Sequence, residues 1–186
     1  MATKTFLFIE GESNSPNGDL LFGYKKLLEQ KLKGKMPRII LGDGKKQTID
    51  KFLNNRFGAD KNLLLIDLDA NEIEKENDLK ENNLNSKSDF VFFMIHEMEA
   101  WFLSQPEILD GFYGVDSNKK KVSDKIPKKK VSDIPNPDEF LQNLTKNSTR
   151  GTYHKIKHAV ELLILLDAPK LEQDFIDFKR LIESLQ

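Results

Sequence analysis

Acidic residues follow three apolar segments of this 186-residue chain, close to the point where each segment ends. Glu10 follows the first segment, and Asp67 and Asp69 belong to another. Glu97 and Glu99 come shortly after a third. If these segments are parallel strands, their carboxyl ends share one edge of a sheet, where open α/β sheets bind their ligands. The carboxylates are therefore predicted to gather there and to repel one another unless a cation lies between them.

Clustered carboxylates are the ligands that Mg²⁺ prefers, and this ion keeps waters that leave room for phosphate oxygens. Asp67 and Asp69 are two residues apart, so on an extended strand both side chains would point to one face and meet one ion. Such an ion activates water and stabilises the leaving oxygen of a phosphodiester. Gly11 would let the backbone approach the phosphate closely. The sequence thus predicts a Mg²⁺ centre, with Mn²⁺ as the alternative ion.

The elements that position these acids are indicated by hydrophobic periodicity. Strands are predicted over 5–9, 38–41, 62–66 and 90–95. Helical spacing is present over 19–33, 47–57, 138–144, 152–166 and 169–185. Strands that alternate with helix-sized segments predict an α/β fold, with a parallel sheet of about four strands flanked by helices.

The strand signal disappears after about residue 105, which divides the predicted organisation in two. We expect an α/β domain over 1–105 and a helical C-terminal extension over 106–186, packed on the same domain. Residues 71–89 are highly charged and predict a solvated helix or a loop. Residues 111–137 predict a loop that is rich in lysine and proline.

Composition narrows the function classes. The chain has no cysteine, which excludes disulfides, thiolate zinc sites and cysteine nucleophiles, and fits a reducing cytoplasm. There is no apolar run of membrane-spanning length, so a cytoplasmic location without membrane contact is expected. The formal net charge is −1, so charge alone does not indicate a nucleic-acid-binding protein.

Three segments together resemble the Toprim domain, the metal-binding module of topoisomerases, bacterial primases and the overcoming-lysogenization-defect (OLD) nucleases. Residues 8–12 (FIEGE) resemble its first motif, and residues 65–69 (LIDLD) resemble its DxD motif. Residues 40–45 (ILGDGK) resemble the glycine-containing turn after its second strand.

A bacterial Toprim-like family of unknown function, found near restriction-modification and anti-phage loci, is similar over nearly the whole chain. The similarity is carried by residues 96–103 (HEMEAWFL), with Pro106, and by residues 153–159 (YHKIKHA). This resemblance implies a divalent-metal nuclease that acts on DNA or RNA in anti-phage defence. A partner ATPase is often encoded beside such proteins.

The resemblance also implies roles for individual residues. Glu10 would be a metal ligand or a general acid/base, and Asp67 and Asp69 would be metal ligands. Lys155 would stabilise charge on the phosphate. OLD-type nucleases often carry a second acid where this chain has Asn14, with Glu12 nearby, so the number of metal ions stays open.

The HExEA segment adds further acids. Glu97 and Glu99 would complete or orient the metal site. Because the two cannot share a helix face, we expect one to be functional and the other structural, and Glu99 is favoured as the ligand. His96 is predicted to support the site or to pack. A zinc-protease pattern is excluded because Ala100 stands where the second histidine would be.

Other readings of these residues remain open. Lys128, Lys129 and Lys130 either contact a phosphate backbone or belong to a solvated loop. The acids that end the strands also suit helix capping. At the level of the whole protein, the alternatives are a Toprim-fold binding module that assembles with a partner ATPase, and a receiver-like or phosphatase-like domain that uses Asp67 covalently.

Overall fold

The computed structural model describes residues 4–12, 19–55 and 58–186, and these form an α/β fold around a parallel sheet. The strands are β1 (Thr5–Ile9), β2 (Arg38–Leu41), β3 (Lys61–Asp67) and β4 (Val91–Met94). Their order across the sheet is β2-β1-β3-β4, and all neighbours are parallel. The predicted fold class is confirmed. The apolar, mostly buried strand sequences are those of a sheet covered on both faces.

The order of the strands defines one functional position. From β1 the chain moves outward to β2, then crosses back to β3 on the other side of β1. The connection after β1 leads to β2 on one side, and the connection after β3 leads to β4 on the other side. The two connections therefore diverge between β1 and β3. In open α/β sheets the crevice outside the carboxyl ends of two such strands is where ligands bind.

Helices follow the strands and form most of the second half of the chain. They are α1 (Leu20–Leu32), α2 (Lys45–Leu53), α3 (Lys75–Glu81), α4 (Glu99–Leu103), α5 (Pro106–Tyr113), α6 (Pro137–Thr145), α7 (Lys155–Leu165), α8 (Ala168–Asp174) and α9 (Ile176–Leu185). Short 3₁₀ turns cover 72–74, 85–90, 123–125 and 131–133. The helical C-terminal part is as predicted.

Two segments differ from the prediction. Residues 169–185 form two helices rather than one, because Phe175 leaves the helical region with φ −126° and ψ 106°. Its ring packs 6.4 Å from that of Trp101, so tertiary contact accompanies the break. The loop predicted from residue 111 begins later, because α5 continues to Tyr113. The charged segment 71–89 contains α3, which has no buried residue.

One apolar core includes residues from both halves of the chain. Helix α1 packs against α7, and Trp101 of α4 meets Phe178 of α9 edge to face at 5.2 Å. The edge strand β4 is protected by Asp177, whose carboxylate accepts a hydrogen bond from the Phe93 N–H at 3.0 Å. The domain boundary near residue 105 stays a prediction. Within the described residues, no helix is both long and apolar enough to span a bilayer.

Candidate functional site

Glu10 and Asp67 meet at the point where the strand directions diverge. Asp67 is the last residue of β3, and its backbone N–H donates to Glu10 Oε2 at 3.1 Å. The Asp67 carboxylate accepts a hydrogen bond from the Met98 N–H at 3.1 Å and is buried, with 9% of the residue exposed. The parallel pairing of β1 with β3 thus places Glu10 next to Asp67, as predicted.

Both carboxyl groups hold protons more tightly than usual. Burial raises the pKa of Asp67 well above its ordinary value, and the charges of Glu10 and Glu99 raise it further against the opposing effect of Lys155. Burial also raises the pKa of Glu10, although the hydrogen bond from Asp67 opposes this rise. Ionising both groups is therefore costly in the absence of a compensating cation.

Glu99 begins α4 and is fully buried. Its Oε1 accepts a hydrogen bond from the Tyr153 hydroxyl at 2.7 Å. The Lys155 ammonium lies 3.3 Å from Oε1 and 3.4 Å from Oε2. Burial lowers the pKa of Lys155, but the charges of Glu99 and Asp67 outweigh this effect and raise it overall. Lys155, half exposed, therefore remains charged between Glu99 and the acid pair.

Asp69 lies differently from the extended-strand prediction. The strand ends at Asp67, and Asp69 has a left-handed backbone with φ 59°. The prediction that Asp67 and Asp69 both lie on an extended strand, with side chains on one face, is therefore wrong. The Asp69 carboxylate instead pairs with Lys45 at 3.0 Å, and Lys45 also binds Asp78 at 2.7 Å. Metal ligation by Asp69, like that by Glu99, stays a prediction.

His96 and Glu97 connect the ends of β3 and β4. His96 has φ 57°, its N–H donates to the Ala70 carbonyl, and its carbonyl accepts from the Asp69 N–H. Its Nε2 lies 2.8 Å from the Ser132 carbonyl oxygen. Burial first, and then the charge of Glu99, raise the pKa of Glu97 to about 7. Glu97 is therefore a carboxyl group that exchanges its proton near neutral pH.

Glycines allow close packing around the acid pair. Gly11 has φ 153°, and a Cβ at this position would lie 2.5 Å from Leu20 Cδ2. The exposed Glu12 follows it. A Cβ at Gly42 would lie 1.7 Å from Thr48 Oγ1, so the turn between β2 and α2 requires glycine. Asn14, the position at which OLD-type nucleases often carry a second acid, lies outside the described residues.

A cavity of about 510 Å³ opens beside the acid pair. Its charged and titratable lining residues are Glu10, Glu12, Asp43, Asp67, His154 and Lys155, and its larger apolar side chains are here called the apolar wall. The apolar wall comes from α1, α7 and the segment around β4, and is formed by Leu20, Tyr24, Met94, Met98, Ile156 and Val160. Sequence reasoning missed this wall, because the helical stripes of α1 and α7 are also those of an ordinary core.

The lysines predicted to contact nucleic acid lie elsewhere. Lys129 and Lys130 line a second groove of about 1020 Å³, which shares no described lining residue with the acidic cavity. The Lys129 ammonium donates to the Asp133 carbonyl at 3.0 Å, and Lys128 is exposed. The structure does not bring these lysines to the acid pair, and their contact with nucleic acid stays a prediction.

The carboxylates of Glu10 and Asp67 are possible ligands of a divalent cation. Among the described residues, no three His, Cys, Asp or Glu side chains form a ready-made metal cluster. Mg²⁺, however, is commonly held by one or two carboxylates and completes its shell with water and phosphate oxygens. The Glu10 and Asp67 pair fits that pattern, since both offer hard oxygen ligands whose charge is costly without a cation.

The chain belongs to a family described as a domain of unknown function (DUF4276), whose model matches residues 20–186. The match includes Asp67, Glu99 and Lys155 and begins after Glu10. No curated protein and no solved structure matches the chain.

Proposed function

We propose that Glu10 and Asp67 hold a divalent cation, Mg²⁺ or Mn²⁺, and that the protein is a Toprim-type nuclease acting on DNA or RNA. One observation carries the proposal: the backbone N–H of Asp67, whose own carboxyl group is buried, donates to the Glu10 carboxylate at the sheet position where α/β proteins bind ligands. Burial is the first cause of the raised pKa values of both groups, and a bound cation would favour their ionised forms.

Each residue has a distinct part in this proposal. When bound, the cation supplies an activated water and positive charge at the leaving oxygen. Lys155 places its ammonium beside the acids, where it balances charge on a phosphate oxygen. The pKa of Glu97 is about 7, so this group changes charge near neutral pH. It is not among the described residues that line the cavity, and it acts on the site through its charge near Glu99 and Lys155.

The Toprim resemblance supports the same function and adds its biological setting. It suggests an effector of bacterial anti-phage defence that works in the cytoplasm with a partner ATPase. The placement of the first Toprim acid and of the DxD motif at neighbouring strand ends is compatible with that resemblance.

A second candidate function is a Toprim-fold binding module with little catalysis, assembled with the same kind of ATPase. Two ion pairs favour it. Asp69 is paired with Lys45, and Glu99 with Lys155, so two of the four predicted metal ligands are compensated without a metal ion. Such a module would bind its partner equally well when Asp67 is replaced.

The test is a cleavage assay with single-stranded DNA, duplex DNA and RNA, in Mg²⁺, Mn²⁺ or EDTA. The wild type should cleave at least one substrate only with metal, and Asp67→Asn should lose about 100-fold or more of that rate. Asp69→Asn is the matched control, because its carboxylate already pairs with Lys45 and its loss should cost far less. Equal rates for wild type and Asp67→Asn would overturn the nuclease proposal and leave the binding module.

A further inference from the structure

The apolar wall of the acidic cavity is not explained by phosphodiester hydrolysis. Glu10, Asp67 and Lys155 are enough to engage a phosphate. Glu12, Asp43 and His154 also line the cavity, yet most of its other side chains are aliphatic or thioether groups. Its volume, about 510 Å³, falls within the range of sites that enclose a small organic ligand.

Tyr24 places a hydroxyl group within this apolar wall. The residue is only 2% exposed and lines the cavity. Its oxygen lies 3.5 Å from Met94 Sδ and 3.4 Å from Met98 Sδ, and thioether sulfurs are weak acceptors. Burial, and then the charges of Asp67, Glu99 and Glu10, raise the pKa of Tyr24, so the hydroxyl keeps its proton. A strong donor is thus held beside the cavity without a strong acceptor among the described residues.

We infer that this cavity receives the base of an unpaired nucleotide, so that the substrate is single-stranded or frayed nucleic acid. The inference rests on the proposed function, since the acid pair and Lys155 take the phosphate of the same nucleotide. The apolar wall takes the faces of the base, and the Tyr24 hydroxyl donates to an acceptor on its edge.

The distribution of charge and apolar surface favours this ligand over a paired strand. A nucleotide has an anionic phosphate at one end and a flat, largely apolar base with polar edges at the other, and the cavity lining likewise combines Lys155 and the acid pair with apolar side chains. In a duplex the bases are stacked and paired, and a base enters a protein pocket only after it is unstacked. Proteins that hold unpaired strands gain affinity from contact with base faces, independently of sequence.

Ile156 provides a variant that narrows the cavity without altering the acids. It lies on α7 at the cavity wall and is 38% exposed, so a larger side chain has room on the solvent side. Ile164 lies on the same helix, is 37% exposed and is not among the residues that line the cavity. Ile156→Trp and Ile164→Trp therefore form a matched pair, and thermal melts of both variants check that the fold is intact.

The experiment measures binding of adenosine and ribose to the full chain in EDTA, and of adenosine 5′-monophosphate and ribose 5-phosphate both in Mg²⁺ and in EDTA. Base contacts should make adenosine bind about tenfold or more tightly than ribose, and the monophosphate similarly tighter than ribose 5-phosphate. Ile156→Trp and Tyr24→Phe should each reduce this preference, and Ile164→Trp should leave it unchanged.

The two sets of ligands separate the possible failures. If adenosine and ribose bind alike, or if both tryptophan variants have the same effect, the base-binding inference is wrong even where metal-dependent cleavage is found. If adenosine is preferred but Mg²⁺ does not strengthen binding of the monophosphate, the cavity binds a base and the proposed metal site fails.

Discussion

The Lys155 ammonium lies 3.3 Å from Oε1 of Glu99, a carboxylate with no exposed surface. The Tyr153 hydroxyl donates to the same oxygen at 2.7 Å. A buried carboxylate that is held by a hydroxyl group and an ammonium is balanced in charge without a metal ion. We therefore interpret Glu99 as the residue that fixes the position of Lys155 beside Asp67 and Glu10.

Replacing Glu99 tests that positioning. Glu99→Gln should lower the pKa of the Lys155 amine, because it removes the largest charge that raises it. The change is measured by NMR titration of isotopically labelled lysine. Cleavage should fall by about tenfold or more, while Mg²⁺ affinity changes little. A large loss of Mg²⁺ affinity with an unchanged lysine pKa would instead identify Glu99 as a metal ligand.

Tyr153→Phe removes the hydrogen bond that Glu99 accepts at 2.7 Å. The variant should lose about 1–3 kcal/mol of unfolding free energy, because a buried carboxylate is left with one partner fewer. Urea unfolding at pH 7 measures this loss. Tyr113→Phe is the control, since the Tyr113 hydroxyl faces His158 Nδ1 at 3.1 Å rather than a carboxylate. An equal loss of unfolding free energy in both variants would show that the hydrogen bond to Glu99 contributes no more to stability than the one to His158.

Stability of the metal-free protein should fall as pH rises. The folded-state pKa of Asp67 and of Glu10 lies above the ordinary value, so the folded chain binds these protons more tightly than the unfolded chain. Their stabilising contribution is complete below the ordinary values of 3.8 and 4.5 and is lost as pH rises through the raised values. Melting curves in EDTA should therefore show a higher Tm at pH 5 than at pH 8.

Two additions to those melting curves identify the groups involved. Mg²⁺ should raise the Tm more at pH 8 than at pH 5, because it binds the ionised carboxylates. Asp67→Asn should stabilise the metal-free protein at pH 8 and abolish the response to Mg²⁺. A Tm difference between pH 5 and pH 8 that is the same in the wild type and in Asp67→Asn would contradict the raised pKa of Asp67.

Glu97→Gln isolates the group that titrates near neutrality. Its pKa is raised to about 7 from 4.5, and partial exposure reduces the corresponding free energy to about 1 kcal/mol. The variant should be more stable than the wild type by that amount at pH 8 and equally stable at pH 4. In a pH–rate profile of cleavage, the inflection near pH 7 should disappear. An unchanged inflection would assign it to another group.

A pair of glycine substitutions tests the turn beside the site. Gly42→Ala should cost about 2 kcal/mol or more, because its Cβ would lie 1.7 Å from Thr48 Oγ1. Gly111→Ala, exposed within α5 with nothing near its Cβ, should stabilise the protein by about 0.5–1 kcal/mol. Urea unfolding compares the two. A tolerated Gly42→Ala would contradict the close packing of α2 against this turn.

Local patterns predicted the sheet because its strands are short apolar runs that are buried on both faces. The boundaries of β1 and β2 agree with the predicted segments 5–9 and 38–41. The meeting of Glu10 with Asp67 was also predictable, since both stand at the carboxyl ends of strands that the alternation with helices makes parallel.

Long-range contacts account for what local patterns missed. Tyr153 and Glu99 are 54 residues apart, and the local sequence around either residue does not predict their hydrogen bond. Asp69 pairs with Lys45 because its backbone is left-handed after the end of β3, whereas the prediction assumed an extended strand. Tyr24 occupied a helical apolar stripe, which indicates burial but does not distinguish a core position from a cavity wall.

Calorimetric titration of Mg²⁺ into the metal-free protein at pH 6 tests the central claim most directly. We predict binding at pH 6 that becomes weaker in a parallel titration at pH 5, because protons compete with the cation for Asp67 and Glu10, whose pKa values are raised. Glu10→Gln and Asp67→Asn should abolish this binding, and Asp69→Asn should retain it. Absence of binding by the wild type at millimolar Mg²⁺, or unchanged binding by Asp67→Asn, would contradict the assignment of these two acids as a cation site.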